Sequence, residues 1–189
     1  MRGITVLIII ALILGCSKSK DGETETTPIN TGSSTEDWVR TQNPETYQEG
    51  NMDTDGDWVI PFDRYQMVFT DTFRTLAFVF DPELTNGKIV AINRNEEVLF
   101  EVYNFDNGPD PVSDGLFRIL ENGKIGYANM EGEVVITPQY TCAKPFRDGR
   151  ARMSNRCTTT QEGEHNTVVS GVWYYIDKEA SPIRNPALN

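Results

Sequence analysis

The chain has 189 residues, with 17 Lys and Arg against 28 Asp and Glu, for a formal net charge of −11. That balance excludes nucleic acid as a partner, because a phosphate backbone is gripped mainly by Lys and Arg. It also excludes a polybasic hold on anionic lipid.

In chain order the first feature is Arg2 followed by an apolar run from Ile4 to Leu14, 11 residues. A bilayer crossing needs about 20, so residues 1–15 read as a secretory signal. The run ends at Ile13-Leu14-Gly15-Cys16, which resembles the lipobox of bacterial lipoproteins. The resemblance implies cleavage before Cys16, acylation of its sulfur and amine, and attachment to a membrane through the acyl chains, each buried CH₂ contributing about 0.8 kcal/mol. Ser17 at the next position implies delivery to the outer membrane of the cell envelope. An ordinary signal with a coincidental cysteine is the alternative.

Residues 17–36 are Ser, Thr, Gly and acid, with almost nothing to bury, so they predict a tether. The tether is expected to run from Cys16 to residue 52, with Trp38 and Tyr47 as isolated apolar points in a partly ordered approach.

From residue 53 to 189 the chain repeats itself. "LTNGKIVAINRNEE" from Leu84 and "LENGKIGYANMEGE" from Leu120 share seven of fourteen residues at an offset of 120 − 84 = 36. Asn86-Gly87 and Asn122-Gly123 supply the positive φ angles of type I′ hairpin turns. Upstream, "DTDGDWVIPFDRY" parallels "NMEGEVVITPQY"; downstream, "SGVWYYIDKEASPIRNP" parallels "NGKIGYANMEGEVVITP". Gly, Pro, Asn and Asp punctuate every eight to twelve residues, as short strands require. Units of two or three strands cannot bury an apolar face alone. The fold class predicted is therefore all-β, with tandem hairpin repeats of about 36 residues stacked in one domain.

The second copy carries Gly123-Lys124-Ile125-Gly126-Tyr127, Asn129, Gly132, Val135-Ile136, Pro138, Tyr140, Phe146, Asp148-Gly149 and Ala151 in one order. That order resembles the WG repeat, a β-rich array found in bacterial proteins, many of them lipoproteins. The signature pair is split: Trp173 precedes Tyr174, and Ile125 precedes Gly126. The first copy reads Ile89-Val90 and has Val102 where Pro138 maps. The resemblance implies a binding or scaffold role and no catalysis, cofactor or metal.

Several site readings compete. Cys142 and Cys157, 15 residues apart, predict a disulfide worth about 3 kcal/mol; two buried thiols or half a metal site are the rivals. His165 has no ligand spacing around it, which argues against zinc. "DTDGD" at Asp53–Asp57 invites calcium, but its glycine is placed for a turn rather than for a calcium loop. Trp58, Tyr103, Trp173, Tyr174 and Tyr175 could form a sugar-stacking platform or pack in the core; Tyr174 is expected to be the exposed ring. Asp110 with Asp114, or Glu131 with Glu133, read as solvated turn acids rather than a glycosidase pair. No triad or phosphate loop appears, so no enzyme is expected. Residues 154–170 insert 14 residues relative to the first linkage. Insertions in repeat arrays often form the binding face, so Thr158, Thr159, Thr160, His165 and Tyr174 are the candidate binding residues; a functionless surface loop is the alternative. The expected partners are the membrane, through the lipid, and an envelope protein or glycan.

Overall fold

The strands fall into four meanders of three, each built on the same tight turn. The computed structural model describes residues 36–162 and 165–184. The signal segment, Cys16 and the start of the tether lie outside the described residues.

The first unit is β1 (Trp38–Gln42), β2 (Glu49–Met52) and β3 (Trp58–Ile60). Two short strands, β4 (Met67–Val68) and β5 (Thr72–Phe73), lead to the second unit, β6 (Leu76–Phe80), β7 (Ile89–Asn93) and β8 (Val98–Val102). The link β9 (Asn104–Phe105) and β10 (Gly108–Pro109) leads to β11 (Leu116–Glu121), β12 (Lys124–Asn129) and β13 (Val134–Tyr140). After β14 (Cys142–Ala143) comes the fourth unit. Its first strand, β15 (Ala151–Ser154), is separated from β18 (Tyr174–Ile176) and β19 (Pro182–Ile183) by the inserted pair β16 (Cys157–Glu162) and β17 (His165–Ser170). All pairing is antiparallel, and the described residues contain no helix.

The turn between second and third strands is the same object four times. Asp53, Asn93, Asn129 and Asp177 each begin it, and each side-chain Oδ1 accepts the backbone N–H groups two and four residues on. The residue three positions on has positive φ: Gly56 at 90°, Glu96 at 59°, Gly132 at 88° and Ala180 at 61°. This is a three-residue hairpin loop closed by a left-handed residue. The Asx side chain holds it because it reaches its own backbone at that spacing. The repeat in the sequence is therefore a repeat of structure, and Asp53 is a turn residue, its Oδ1 occupied by Asp55 and Asp57 N–H at 3.1 and 2.8 Å.

Two boundaries differ from expectation. β1 and β2 lie inside the span 16–52 assigned to the tether, so the first unit begins upstream of residue 53. Trp38 is the reason: it packs edge-on against Phe73 at 5.2 Å, and β1 pairs with β5. Asn122-Gly123 forms the predicted two-residue turn, with φ of 51° and 71° and Glu121 facing Lys124. Asn86-Gly87 also takes the positive φ angles, 53° and 68°, with Lys88 N–H donating to the Thr85 carbonyl at 3.1 Å, but this turn sits inside a longer loop of residues 81–88, because Phe80 faces Ile89. There Asp81 Oδ1 takes the N–H groups of Glu83 and Leu84, and the buried Thr85 hydroxyl lies 2.6 Å from the carbonyls of Asp81 and Lys88.

The apolar core is cut by the sheets into three layers, and each layer is shared by two neighbouring units. Trp38 and Ile60 of the first unit, with Phe73 of β5, meet Ala77, Val79, Val90 and Ile92 of the second. Leu76, Phe78, Ile89 and Ala91, from the other face of β6 and β7, meet Phe117, Ile119 and Ala128 of the third. Leu116, Ile125, Tyr127 and Ile136 meet Ala151, Met153 and Ile176 of the fourth. The first two strands of each middle unit, β6, β7, β11 and β12, are thus buried on both faces, which is why Leu76–Phe80 reads as an unbroken apolar run rather than an alternating one.

Neighbours are also joined through the backbone. A residue in the link after each third strand bonds to the first strand of the next unit: Phe69 N–H after β4 donates to Phe78 O, Tyr103 N–H after β8 to Arg118 O, and Lys144 N–H after β14 to Arg152 O, at 2.9, 3.0 and 2.8 Å. The left-handed turn residue completes the junction. Glu96 Oε2 accepts from Arg64 Nε at 2.6 Å and Tyr65 Oη at 3.0 Å, and Ala180 packs on the core shared by the third and fourth units.

Candidate functional site

The inserted segment is a β-hairpin that forms a sheet of its own, not an irregular loop. It pairs in register from Cys157 opposite Ser170 to Glu162 opposite His165. Its root is fixed at three points. Cys142 and Cys157 form a disulfide with Cα atoms 6.3 Å apart, tying β16 to β14. Ser170 Oγ lies 2.7 Å from both Ser154 Oγ and the Arg156 carbonyl, and accepts the Val172 N–H at 3.1 Å. Asn155 Oδ1 accepts the Thr141 N–H at 3.2 Å.

Thr158 stands opposite Val169, and Thr160 opposite Thr167, on one face of this hairpin. Thr158 and Thr160 are exposed, and Val169 is 50% exposed. Thr159 and His165 take their places in the ladder opposite Val168 and Glu162. Tyr174 does not join them. It packs against the buried layer with its ring 6.4 Å from that of Tyr140, half-buried rather than exposed. The reason is strand parity: Tyr174 shares a face with Met153, and Ile176 with Ala151, both buried.

The outward position on β18 belongs to Tyr175, with Trp173 just before the strand and two residues away. The Arg152 guanidinium lies between them, 5.0 Å from the Trp173 ring and 6.0 Å from that of Tyr175. The remaining candidate aromatics stand elsewhere. Trp58 is 37% exposed and stacks on Phe62 at 3.7 Å. Tyr103 lies under the Arg118 guanidinium at 4.0 Å, against the core.

Asp110, Asp114 and Glu133 are committed to structure, and Glu131 is exposed in its turn. Asp110 is buried and forms an ion pair with buried Arg118, Nε standing 3.1 Å from both carboxylate oxygens, while the Arg118 N–H donates to Oδ2 at 2.8 Å. Arg118 Nη1 also donates to the Ala143 carbonyl at 2.9 Å. Asp114 sits in a turn and accepts the Gly149 N–H at 2.8 Å. Glu133 accepts from Asn129 Nδ2 at 2.9 Å within the repeated turn. An open groove of about 330 Å³ is lined by Phe69, Phe80, Ile89, Val102 and Leu120. Its rim charge is already matched, Lys88 Nζ lying 2.5 Å from Glu101 Oε2.

Sequence reasoning missed the cationic row beside the hairpin. Lys144, Arg147, Arg150, Arg152 and Arg156 fall within residues 142–157, where Asp148 is the one acid, for a local charge of 5 − 1 = +4. The ion pairs of the described residues use Arg40, Arg64, Arg74, Lys88 and Arg118, and none of these five. The strongly negative total concealed the cluster; a running charge sum would have found it.

Residues 125–156 match the model of the family described as WG containing repeat. The match begins in β12 and ends just after β15, so it takes in the third unit's turn and third strand and the whole passage into the fourth. No curated protein and no solved structure matches the chain. The chain is a repeat-containing β module with a disulfide, Cys142–Cys157, at the base of the inserted hairpin.

Proposed function

We propose that this protein is a lipid-anchored lipoprotein of the cell envelope, held at the outer membrane through Cys16. Its β domain serves there as a non-catalytic binding or scaffold module. The observation that carries the reading is the hairpin of Cys157–Ser170, set apart from the other sheets and bound at its root by a disulfide. A projection with no role needs no such staple, whereas a binding element gains from losing less conformational freedom on contact. The Gly15-Cys16 junction and the WG repeat at 125–156 support the anchorage and the module.

The test has two arms. A labelled fatty acid should enter the wild-type chain in cells and be absent from Cys16→Ser. Crosslinking in intact envelopes should yield partners that disappear when residues 158–169 are replaced by a short turn. Labelling that persists in Cys16→Ser, or partners that survive the hairpin replacement, would overturn the respective arm.

A second reading, glycan binding through exposed aromatics, is favoured by the placement of Trp173 and Tyr175 on an outward face. Tyr174 has no part in it.

A further inference from the structure

We infer that the outward face of the fourth sheet binds saccharides bearing a carboxylate, the acid held between Lys144 and Arg152 and the sugar ring laid against Trp173 and Tyr175. The inference rests on the glycan reading above and deepens it by naming the class of sugar.

Topology assembles the row. In the sheet order β14-β15-β18-β19, Lys144 N–H donates to the Arg152 carbonyl, and Arg152 is the register partner of Tyr175, which in turn faces Ile183. Directly paired residues on antiparallel strands share a face. Lys144, Arg152, Tyr175 and Ile183 therefore form one line across the sheet, opposite the face that buries Ala143, Met153 and Ile176. Lys144 and Arg152 are exposed, and Trp173 and Tyr175 are half-buried.

Among the described residues, the charge on this row has no ion-pair partner. Neither Lys144 nor Arg152 forms an ion pair with a described carboxylate, in a chain that carries 28 acids. Arg118, beneath, is neutralised by Asp110. Burial first, then the neighbouring Arg118 and Arg152 charges, push the Lys144 ammonium below its usual range. An arriving anion relieves that repulsion.

The type of anion follows from shape and from the rest of the molecule. A guanidinium flanked by two rings loses little freedom on binding and matches a planar carboxylate with two parallel hydrogen bonds. Indole and phenol faces accept the apolar C–H side of a sugar ring while their polar edges stay wet. A long phosphate polymer is disfavoured, because the site is small and the net charge of −11 repels a dense polyanion. A sugar acid with one charge per ring meets both conditions.

The experiment uses the full chain against immobilised uronic-acid oligomers, neutral oligomers of the parent sugars, and polyphosphate as a charge control. Uronate oligomers should bind, neutral oligomers and polyphosphate should not, and raising salt should weaken the binding. Arg152→Ala and Lys144→Gln should each lower affinity by about tenfold, the scale of one charge-assisted hydrogen bond, with Arg152→Lys losing less. Trp173→Ala should weaken uronate binding without altering the melting temperature by more than the Arg152 variants do. Polyphosphate bound as well as uronate, or uronate affinity unmoved in Arg152→Ala, overturns the site. Neutral oligomers bound in preference overturn the acid requirement and leave the glycan reading standing; no oligomer bound overturns both.

Discussion

Gly126→Ala tests the architecture at its tightest point. A Cβ on Gly126 would stand 2.4 Å from the Ile136 carbonyl oxygen, 2.6 Å from Pro138 N and 2.8 Å from Pro138 Cδ. Ordinary contact begins at 3.4 Å, so β12 and β13 must part by 3.4 − 2.4 = 1.0 Å. All three neighbours are backbone or proline ring, and none can rotate away. Overpacking of this kind costs about 1–3 kcal/mol, and a ladder bond stretched beyond reach costs about 1 kcal/mol more. We expect a loss of about 3 kcal/mol, seen as a fall of about 6–12 °C in Tm. Urea unfolding followed by tryptophan fluorescence would measure it directly. The control is Gly123→Ala, where φ is +71° but nothing stands within 4 Å, so only about 1 kcal/mol of backbone strain is expected. Adding Pro138→Val should return part of the loss, since the second unit has Val90 at the glycine's position and no proline opposite. A Gly126→Ala chain no less stable than Gly123→Ala would refute the steric account of the repeat's glycine.

Replacing Cys142 and Cys157 by Ser should lower stability by about 3 kcal/mol for the 15-residue loop, and limited proteolysis should then cut first within 155–170. Asp110→Ala should cost about 3–5 kcal/mol by stranding the buried Arg118 charge, while the double change Asp110→Leu with Arg118→Met should recover most of it in the same urea assay. Alkali should also unfold the domain. Burial first, then the Glu96 carboxylate, push the Tyr65 hydroxyl from its ordinary 10.0 up to about 12. The folded state holds that proton more tightly, so the stability is whole below pH 10 and is lost as pH rises from 10 towards 12. Urea midpoints across that range should fall, and Tyr65→Phe should flatten the fall; a slope unchanged in that variant would assign it elsewhere.

The repeated turns were legible because an Asx residue, a left-handed position and a fixed spacing leave marks that survive divergence, even in "NRNEE" and "DKEAS", which lack the glycine. The stacking was legible from physical need, since a three-stranded unit exposes both faces. The start of the array was not. "WVRTQ" has one strongly buried residue, Trp38, and beside its ladder with β2, β1 is held by partners more than 30 residues away, with Arg40 N–H donating to Asp71 O at 2.9 Å. The inward turn of Tyr174 was hidden for a related reason. A run of three aromatics, Trp173-Tyr174-Tyr175, shows two faces but not which is wet, and only pairing with β15 decides it. The coupled loss of glycine and proline in the first copy was visible as two departures. Their common cause, one backbone pressed against one proline ring, needed three dimensions.

The way each unit lends the chain after its last strand to the next has a consequence for trimming. Any cut placed at a sequence period removes more than it appears to: deleting the first unit through Ile60 would strip β5 of its partner β1 and leave Trp38's ring-mate Phe73 wet. Shortened versions of this protein will behave as frayed ends rather than as smaller copies of the whole.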